Sequence, residues 1–156
     1  MRTSVDVHNH LVERDIPHEL LSVRGRFRSP ERLASVLDLP PDQVGQVVVY
    51  ETDRGPVAAL LSSDRDPDPK RLARATRAKQ IRPATTARVS QLSEYLGEAT
   101  PPVGLPDGFV VVVDRPLADK PVLYFAGGEA TVVLKVRGED LVRASGAKVA
   151  RISAGR

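Results

Sequence analysis

The sequence contains one short motif with the spacing of metal ligands, Asp6-Val7-His8-Asn9-His10. Two histidines at this spacing begin the metal site of many barrel hydrolases, but they project together only from a strand. The residues from Ser4 to about Asp15 have helical periodicity, His18 is the only other histidine, and a (β/α)₈ barrel needs roughly 250 residues. We therefore expect surface histidines on a first helix and no bound metal.

The residue types needed for covalent catalysis or for nucleotide hydrolysis do not occur in recognisable motifs. The chain has no cysteine and no GxSxG motif, and the run Ser62-Ser63-Asp64 has no neighbouring histidine to act as a base. A phosphate-binding GxxxxGK[ST] loop is also absent. The sequence supports neither chemistry, and we expect no cofactor.

Gln46 is an uncharged polar residue at the start of a predicted strand. Pro40, Pro41 and Asp42 precede it and favour a turn, and residues 47–50 (VVVY) suit a covered, pleated surface. A side chain at such a junction points out of the end of the sheet, where functional groups often lie. Gln46 is therefore a candidate site residue.

A basic stretch begins after the predicted helix cap Asp68-Pro69. Four cations follow one broad side of the helix predicted over 69–77: Lys70, Arg71, Arg74 and Arg77. Runs of charge usually form a solvated face, and acidic residues near the helix start favour that interpretation. The functional alternative is a contact with the phosphates of RNA. The first interpretation is favoured and the second stays open.

Composition indicates one ordinary globular domain over residues 1–156. Hydrophobic residues make up 41% and charged residues 28% of the chain, and the formal net charge is +3. That charge is too small to indicate binding to long nucleic acids. No apolar run is long enough to cross a bilayer, and the amino terminus lacks the apolar segment of a secretory signal. We expect a cytoplasmic protein with no membrane contact, and the oligomeric state stays open.

The pattern of apolar residues predicts alternating helices and strands. Helices are expected over 4–15, from Pro30 onward, and over 69–77, 86–96 and 139–144. Strands are expected over 18–23, 46–50, 56–61, 79–82, 109–113, 122–126, 131–136 and 148–152. Because several strands are joined as hairpins, the fold class is α/β of the α+β type, with a mixed, mostly antiparallel sheet flanked by helices.

Two glycine-containing segments are candidate binding elements. Residues 97–108 (GEATPPVGLPDG) form the longest Pro/Gly stretch, which we call the Gly97–Gly108 loop, and a loop beside strong strands often binds ligands. Gly127-Gly128 lies between two predicted strands and indicates a tight turn.

Four segments together resemble the YbaK family, the aminoacyl-tRNA editing domain that is also found inserted in prolyl-tRNA synthetases. The four segments start with the sequences PDQVGQVVVY, PVAALLSSDRDPDPKRLARA, SEYLGEATPPVGLPDGFVVVVD and VLYFAGGEATVVLKV, respectively. Together the segments cover nearly the whole chain. The resemblance implies the family's mixed, partly barrel-like sheet. It also implies metal-independent hydrolysis of the ester that joins a wrong amino acid to the tRNA 3′ end. The resemblance also implies an aminoacyl-tRNA synthetase as a second partner.

The resemblance assigns roles to several residues. Gln46 stands where the family has a lysine and is expected to reach the substrate, and the backbone of Gly127 and Gly128 is expected to stabilise the oxyanion. The expected substrate-binding residues are Ser62, Ser63, Asp64, Pro102 and Gly104. Lys70, Arg71 and Arg74 are the expected RNA contacts.

The chain departs from the family pattern at its site. Besides the missing lysine, Glu98 and Ala99 replace paired glycines, and residues 129–132 (EATV) replace the basic residues that relatives often carry after the diglycine. The departures leave two hypotheses open. One is a freestanding deacylase, and the other is a catalytically silent module that binds an aminoacyl-tRNA end, a nucleotide or a protein.

Overall fold

The structure, a computed structural model, describes residues 1–154 of the chain. Its α-helices are α1 Ser4–Glu13, α2 Pro30–Leu37, α3 Pro69–Thr76, α4 Thr86–Ser93, α5 Arg115–Ala118 and α6 Gly138–Ser145. Its strands are β1 Glu19–Ser22, β2 Gly45–Thr52, β3 Gly55–Ser62, β4 Ile81–Pro83, β5 Val110–Asp114, β6 Leu123–Ala126, β7 Val132–Val136 and β8 Lys148–Ala150. Short 3₁₀ turns span Pro41–Gln43 and Gly97–Ala99.

The strands form two sheets. A three-stranded antiparallel sheet has the order β1-β7-β6, and a five-stranded mixed sheet has the order β4-β2-β3-β5-β8. In the second sheet β5 runs parallel to both β3 and β8, and the other pairings are antiparallel. An isolated bridge between Val44 and Tyr124 connects the sheets. The predicted fold class is confirmed, although the strands divide between two sheets that do not close into a barrel.

Local capping signals determine where the helices begin. Ser29 Oγ accepts from Arg32 N at 3.1 Å at the start of α2, and Asp68 Oδ1 accepts from Lys70 N at 3.0 Å at the start of α3. Each cap is followed by a proline at the first helical position, as the sequence predicts. The predicted end of α4 is wrong, because Glu94 has a left-handed backbone with φ +66° and the helix stops at Ser93.

The core lies on both faces of β3. Leu60 packs with Phe125 and Leu134 between the two sheets, and its neighbour Leu61 packs with Leu72 under α3. Successive residues of a strand point to opposite faces, so a strand buried on both sides needs a continuous apolar run. None of the helices within residues 1–154 is long and apolar enough to span a membrane.

Candidate active site

An open cleft of about 120 Å³ lies where the two sheets meet. One wall is the segment before and at the start of α2, a second is the beginning of β2, and a third is the beginning of the Gly97–Gly108 loop. The lining residues are Phe27, Arg28, Ser29, Pro30, Leu33, Gly45, Gln46, Val47, Gly97, Glu98, Thr100, Phe125 and Ala126. A cleft of this size is too small to enclose a whole drug-sized ligand, but it accepts one group at the end of a larger molecule.

The floor of the cleft depends on a glycine facing an aromatic ring. A Cβ atom at Gly45 would lie 2.0 Å from the Phe125 ring, and Phe125 is fully buried. No side chain fits there, because real Cβ atoms do not approach other atoms so closely. Gly45 therefore lets the ring reach β2 and close the cleft from below.

Gln46 lines the cleft, but its amide hydrogens are already used. Its Nε2 donates to the carbonyl oxygen of Ser62 at 3.0 Å and to that of Arg65 at 2.6 Å. Two carbonyl acceptors fix the orientation of the amide, because only the NH₂ group can donate to both. The group that Gln46 can offer a ligand is therefore its amide oxygen, an acceptor.

The turn after β3 does not present its three predicted substrate contacts to this cleft. Ser62 Oγ donates to Asp64 Oδ1 at 2.6 Å, and Ser63 Oγ donates to Pro41 O at 2.8 Å. Ser62 and Asp64 line a separate depression beside Lys120. Gln46 is thus hydrogen-bonded to the backbone of this turn, but the serine hydroxyls of the turn do not face the cleft.

The diglycine has a structural role in this arrangement. Gly127 N donates to Val132 O at 2.9 Å and Gly128 N donates to Ala99 O at 3.1 Å, so both amide hydrogens expected to face an oxyanion are occupied. Gly128 has φ +97°, and a Cβ there would lie 3.1 Å from the backbone of Thr3. The expected tight turn is wrong, because five residues separate β6 from β7.

Pro102 and Gly104 lie in the second half of the Gly97–Gly108 loop and line a different depression from Gln46. Both are buried, and Gly104 O accepts from the Tyr95 hydroxyl at 2.8 Å. Burial raises the pKa of Tyr95 to about 12, and the charge of Asp6 adds to this effect. The structure therefore does not bring these two residues together with Gln46.

The predicted RNA-contact residues Lys70, Arg71 and Arg74 are exposed on α3. Arg71 Nε lies 3.5 Å from Asp68 Oδ2, whereas Arg71 and Arg74 also border a shallow depression with Arg151. None of these residues lines the cleft. They form a separate basic surface.

The histidines do not form a three-ligand group. His8 Nδ1 lies 3.1 Å from His18 Nε2, and His10 Nε2 lies 2.8 Å from Ala144 O. Helical geometry directs His8 and His10 to different neighbours. Residues 1–154 contain no set of three His, Cys, Asp or Glu side chains placed to hold a metal ion.

Two ionisable residues of the cleft, Arg28 and Glu98, were not identified as site residues from the sequence. Arg28 is exposed and has no ion-pair partner among residues 1–154, whereas Glu98 pairs with Arg26. The signal for Arg28 is the segment 24–28 (RGRFR), in which an aromatic residue is interleaved with cations, a composition typical of nucleic-acid contacts.

Comparisons with known proteins give a consistent family. The family described as "Aminoacyl-tRNA editing domain" matches residues 26–144. The solved structure of hypothetical protein APE2540 has a TM-score of 0.90 and 25% identity, covering 96% of this chain and 99% of its own. A candidate trans-editing enzyme for prolyl-tRNA synthetase has a TM-score of 0.86 and 21% identity, covering 99% of both chains, and at that identity shows the fold alone. No curated protein matches.

Proposed function

The chain belongs to the aminoacyl-tRNA editing domain family, and we propose that it is a freestanding deacylase that hydrolyses the ester of mischarged tRNA. The observation that supports this proposal is that the matched segment, 26–144, includes every residue that lines the cleft. The aminoacylated 3′ end of tRNA would occupy that cleft. A tRNA substrate also favours the cytoplasm as the location.

The cleft offers different surfaces to the parts of such a substrate. The floor and sides formed by Phe125, Val47 and Leu33 are apolar and suit an amino-acid side chain or a base. Arg28 is a cation without an ion-pair partner in the described chain, and a guanidinium binds phosphate with paired hydrogen bonds. We assign Arg28 to the phosphate of the terminal nucleotide.

Gln46 would act as an acceptor. Since its two N–H groups hold the turn after β3, its amide oxygen is the group available to a water molecule or to the 2′-hydroxyl of the terminal adenosine. That hydroxyl would help activate the water, as the family resemblance suggests. Gln46 would then orient the attacking group. It would not stabilise the negative charge that develops on the carbonyl oxygen of the ester.

Because Gln46 has no free N–H group to donate to the oxyanion, we expect slow hydrolysis. A lysine ammonium has three N–H donors, so a lysine at this position could satisfy both carbonyls and still donate to the oxyanion. Removing one well-placed oxyanion donor typically costs about 2.7–4 kcal/mol of activation free energy. We therefore expect glutamine instead of lysine at position 46 to slow the hydrolysis without abolishing it.

Further contacts with the tRNA would come from the basic surface on α3. Lys70, Arg71 and Arg74, together with Arg151, would contact backbone phosphates outside the cleft. Such contacts weaken as salt concentration rises because bound counterions are released. An aminoacyl-tRNA synthetase that delivers the tRNA would be a second partner.

Deacylation of a panel of tRNAs, each charged with one amino acid, tests the proposal. The purified protein should release amino acid from at least one member, and Gln46→Ala should slow this release. Gln46→Lys should accelerate it by roughly 10²–10³, because a donor is restored. A whole panel that stays intact at high protein concentration would reject the deacylase.

A silent binding module is the second candidate, favoured by the occupied donors. The amide hydrogens of Gln46, Gly127 and Gly128 all have partners inside the protein. This module would bind the same aminoacyl-tRNA end, a nucleotide or a protein partner. A wild type that leaves the panel intact, combined with a Gln46→Lys variant that hydrolyses, would support it over the enzyme.

A further inference from the structure

Glu98 places a carboxylate in the wall of the cleft. Of the residues that line it within the described chain, Glu98 is the only acidic one. Its side chain is about one-quarter exposed, at 26%. An anion in a mostly apolar or neutral cleft attracts a cationic group of a ligand more strongly than it would in open water.

The backbone that carries Glu98 is held from several directions. Gly97 N donates to Ser90 Oγ at 3.0 Å, and Thr100 Oγ1 donates back to Gly97 O at 2.9 Å. Ala99 O accepts from Gly128 N at 3.1 Å, which connects this 3₁₀ turn to the β6–β7 connection. The position of the carboxylate is thus fixed before a ligand arrives, which lowers the entropy lost on binding.

Arg26 holds one oxygen of this carboxylate and leaves the other available. Arg26 Nη2 donates to Glu98 Oε1, and Glu98 Oε2 has no partner among residues 1–154. Arg26 is itself 54% exposed and does not line the cleft. A carboxylate can accept several hydrogen bonds, so the ion pair orients Glu98 without saturating it.

We propose that Glu98 binds the α-ammonium of an aminoacyl ester and thereby restricts the cleft to esters whose amine is free. The identity of the ligand rests on the function proposed above. The ester of an amino acid with an uncharged side chain carries one positive charge, on its α-amine, and N-acylation removes that charge and leaves a single amide N–H donor. Esters of N-blocked amino acids, such as peptidyl esters, would therefore be excluded.

The alternative is that Glu98 only forms a surface ion pair with Arg26. Two variants separate these roles. Glu98→Gln removes the charge and keeps the shape of the side chain, and Arg26→Gln breaks the same ion pair while leaving the carboxylate in the cleft. If the pair alone mattered, the two variants would behave alike.

The test measures binding of two stable analogues by calorimetry. One is 3′-amino-3′-deoxyadenosine acylated with alanine through an amide, and the other is its N-acetyl form. Measurements are made at about pH 6.5, below the ordinary α-amine pKa of roughly 7.7–8.0, so that the free amine is charged. The wild type should bind the free amine at least about tenfold more tightly than the acetylated form.

Glu98→Gln should lose this preference and Arg26→Gln should keep it, with both variants showing wild-type circular dichroism. Equal affinity of the wild type for both analogues, a preference that persists in Glu98→Gln, or no binding of either analogue would each overturn the assignment. Deacylation assays separate it from the proposed function. A protein that discriminates the analogues but leaves the tRNA panel intact is not a deacylase, whereas one that cleaves free and N-acetylated esters equally is a deacylase without this role for Glu98.

Discussion

The Gly97–Gly108 loop has a shorter first half, residues 97–100, and a longer, proline-rich second half, residues 101–108, and the two have different roles. The first half, residues 97–100, lines the cleft and exposes the side chain of Glu98 to it. The second half is turned toward α1, where Pro102 and Gly104 are buried and Gly104 O accepts hydrogen bonds from Tyr95 and Arg2. Only the first half can meet a ligand in the cleft.

The two halves therefore use their residues differently, for close packing in the second half and for contact with the cleft in the first. In the second half Gly104 permits close packing and a positive φ of +74°. In the first half the side chain of Glu98 lines the cleft. We infer that substitutions in the second half change stability, and that substitutions in the first half change ligand binding.

The largest expected effect is that of Gly104→Ala. Its Cβ would lie 2.9 Å from the Tyr95 hydroxyl oxygen, and its φ is in the left-handed region. Backbone strain and overpacking together should lower the free energy of unfolding by roughly 2–5 kcal/mol, measured by urea denaturation.

Gly108→Ala is the matched control in the same loop. Gly108 also has a positive φ, +101°, but a Cβ there would meet nothing within 4 Å. Only the backbone penalty of about 1–2 kcal/mol applies. Equal losses in the two variants would show that the close approach to Tyr95 is unimportant.

Alkaline pH should also act through the second half of the loop. Burial raises the pKa of Tyr95 to about 12, so the neutral phenol is favoured in the folded protein. This stabilisation is complete below the ordinary tyrosine pKa of about 10 and is lost as pH rises through about 12, a change of roughly 2–3 kcal/mol.

Denaturation of the wild type and of Tyr95→Phe at a series of pH values above about 9 checks this effect, because the wild type should lose more stability than the variant over that range. The variant itself should be less stable at neutral pH by about 1 kcal/mol, since it lacks the bond to Gly104 O. Parallel pH curves would contradict the expected titration of Tyr95.

Gln46→Leu extends the comparison to the opposite wall of the cleft. The variant removes two donors and leaves the Arg65 carbonyl without this partner, so the free energy of unfolding should fall by about 1–2 kcal/mol. Gln43→Leu is the control, because no hydrogen bond of the Gln43 side chain occurs among residues 1–154. Gln46→Lys should lose less than Gln46→Leu, and similar losses in both would refute the role of Gln46 in holding the turn.

The smallest expected effect on stability is that of Glu98→Ala. The ion pair with Arg26 is partly exposed, and such pairs contribute about 0.2–1 kcal/mol. Urea denaturation should therefore show a loss within that range, while calorimetry with the free-amine analogue shows weakened binding. A loss as large as that of Gly104→Ala would remove the distinction between the two halves of the loop.

Local signals in the sequence predicted most of the elements correctly. The caps Ser29-Pro30 and Asp68-Pro69 start α2 and α3 as expected, and the apolar run over 56–61 lies in the buried strand β3. The helix α5 was not predicted, because four residues are too few to show a helical period. Gln46 lies near the start of β2, as expected, and lines the cleft, whereas its role as a site residue stays a prediction.

The partners of the candidate site residues could not be predicted in the same way. Gln46 is bonded to carbonyls 16 and 19 residues away, and Gly128 N to the carbonyl of Ala99. None of these three carbonyl partners can be recognised from the sequence around Gln46 or Gly128. The roles expected for Gly127 and Gly128 depended on free amide hydrogens, and only the folded chain shows that these are occupied.

The sequence by itself determined most of the helices, the strands and the family, because periodicity, capping and the order of elements are properties of neighbouring residues. The tertiary structure decided which polar groups remain available to a ligand. It brought Phe27–Leu33, the start of β2 and the first half of the Gly97–Gly108 loop to one cleft, and it placed Glu98 there with one oxygen unpaired within residues 1–154. Hydrogen bonds between segments that are distant in sequence occupy some polar groups and leave other polar groups available. Which groups are occupied depends on how the two sheets pack.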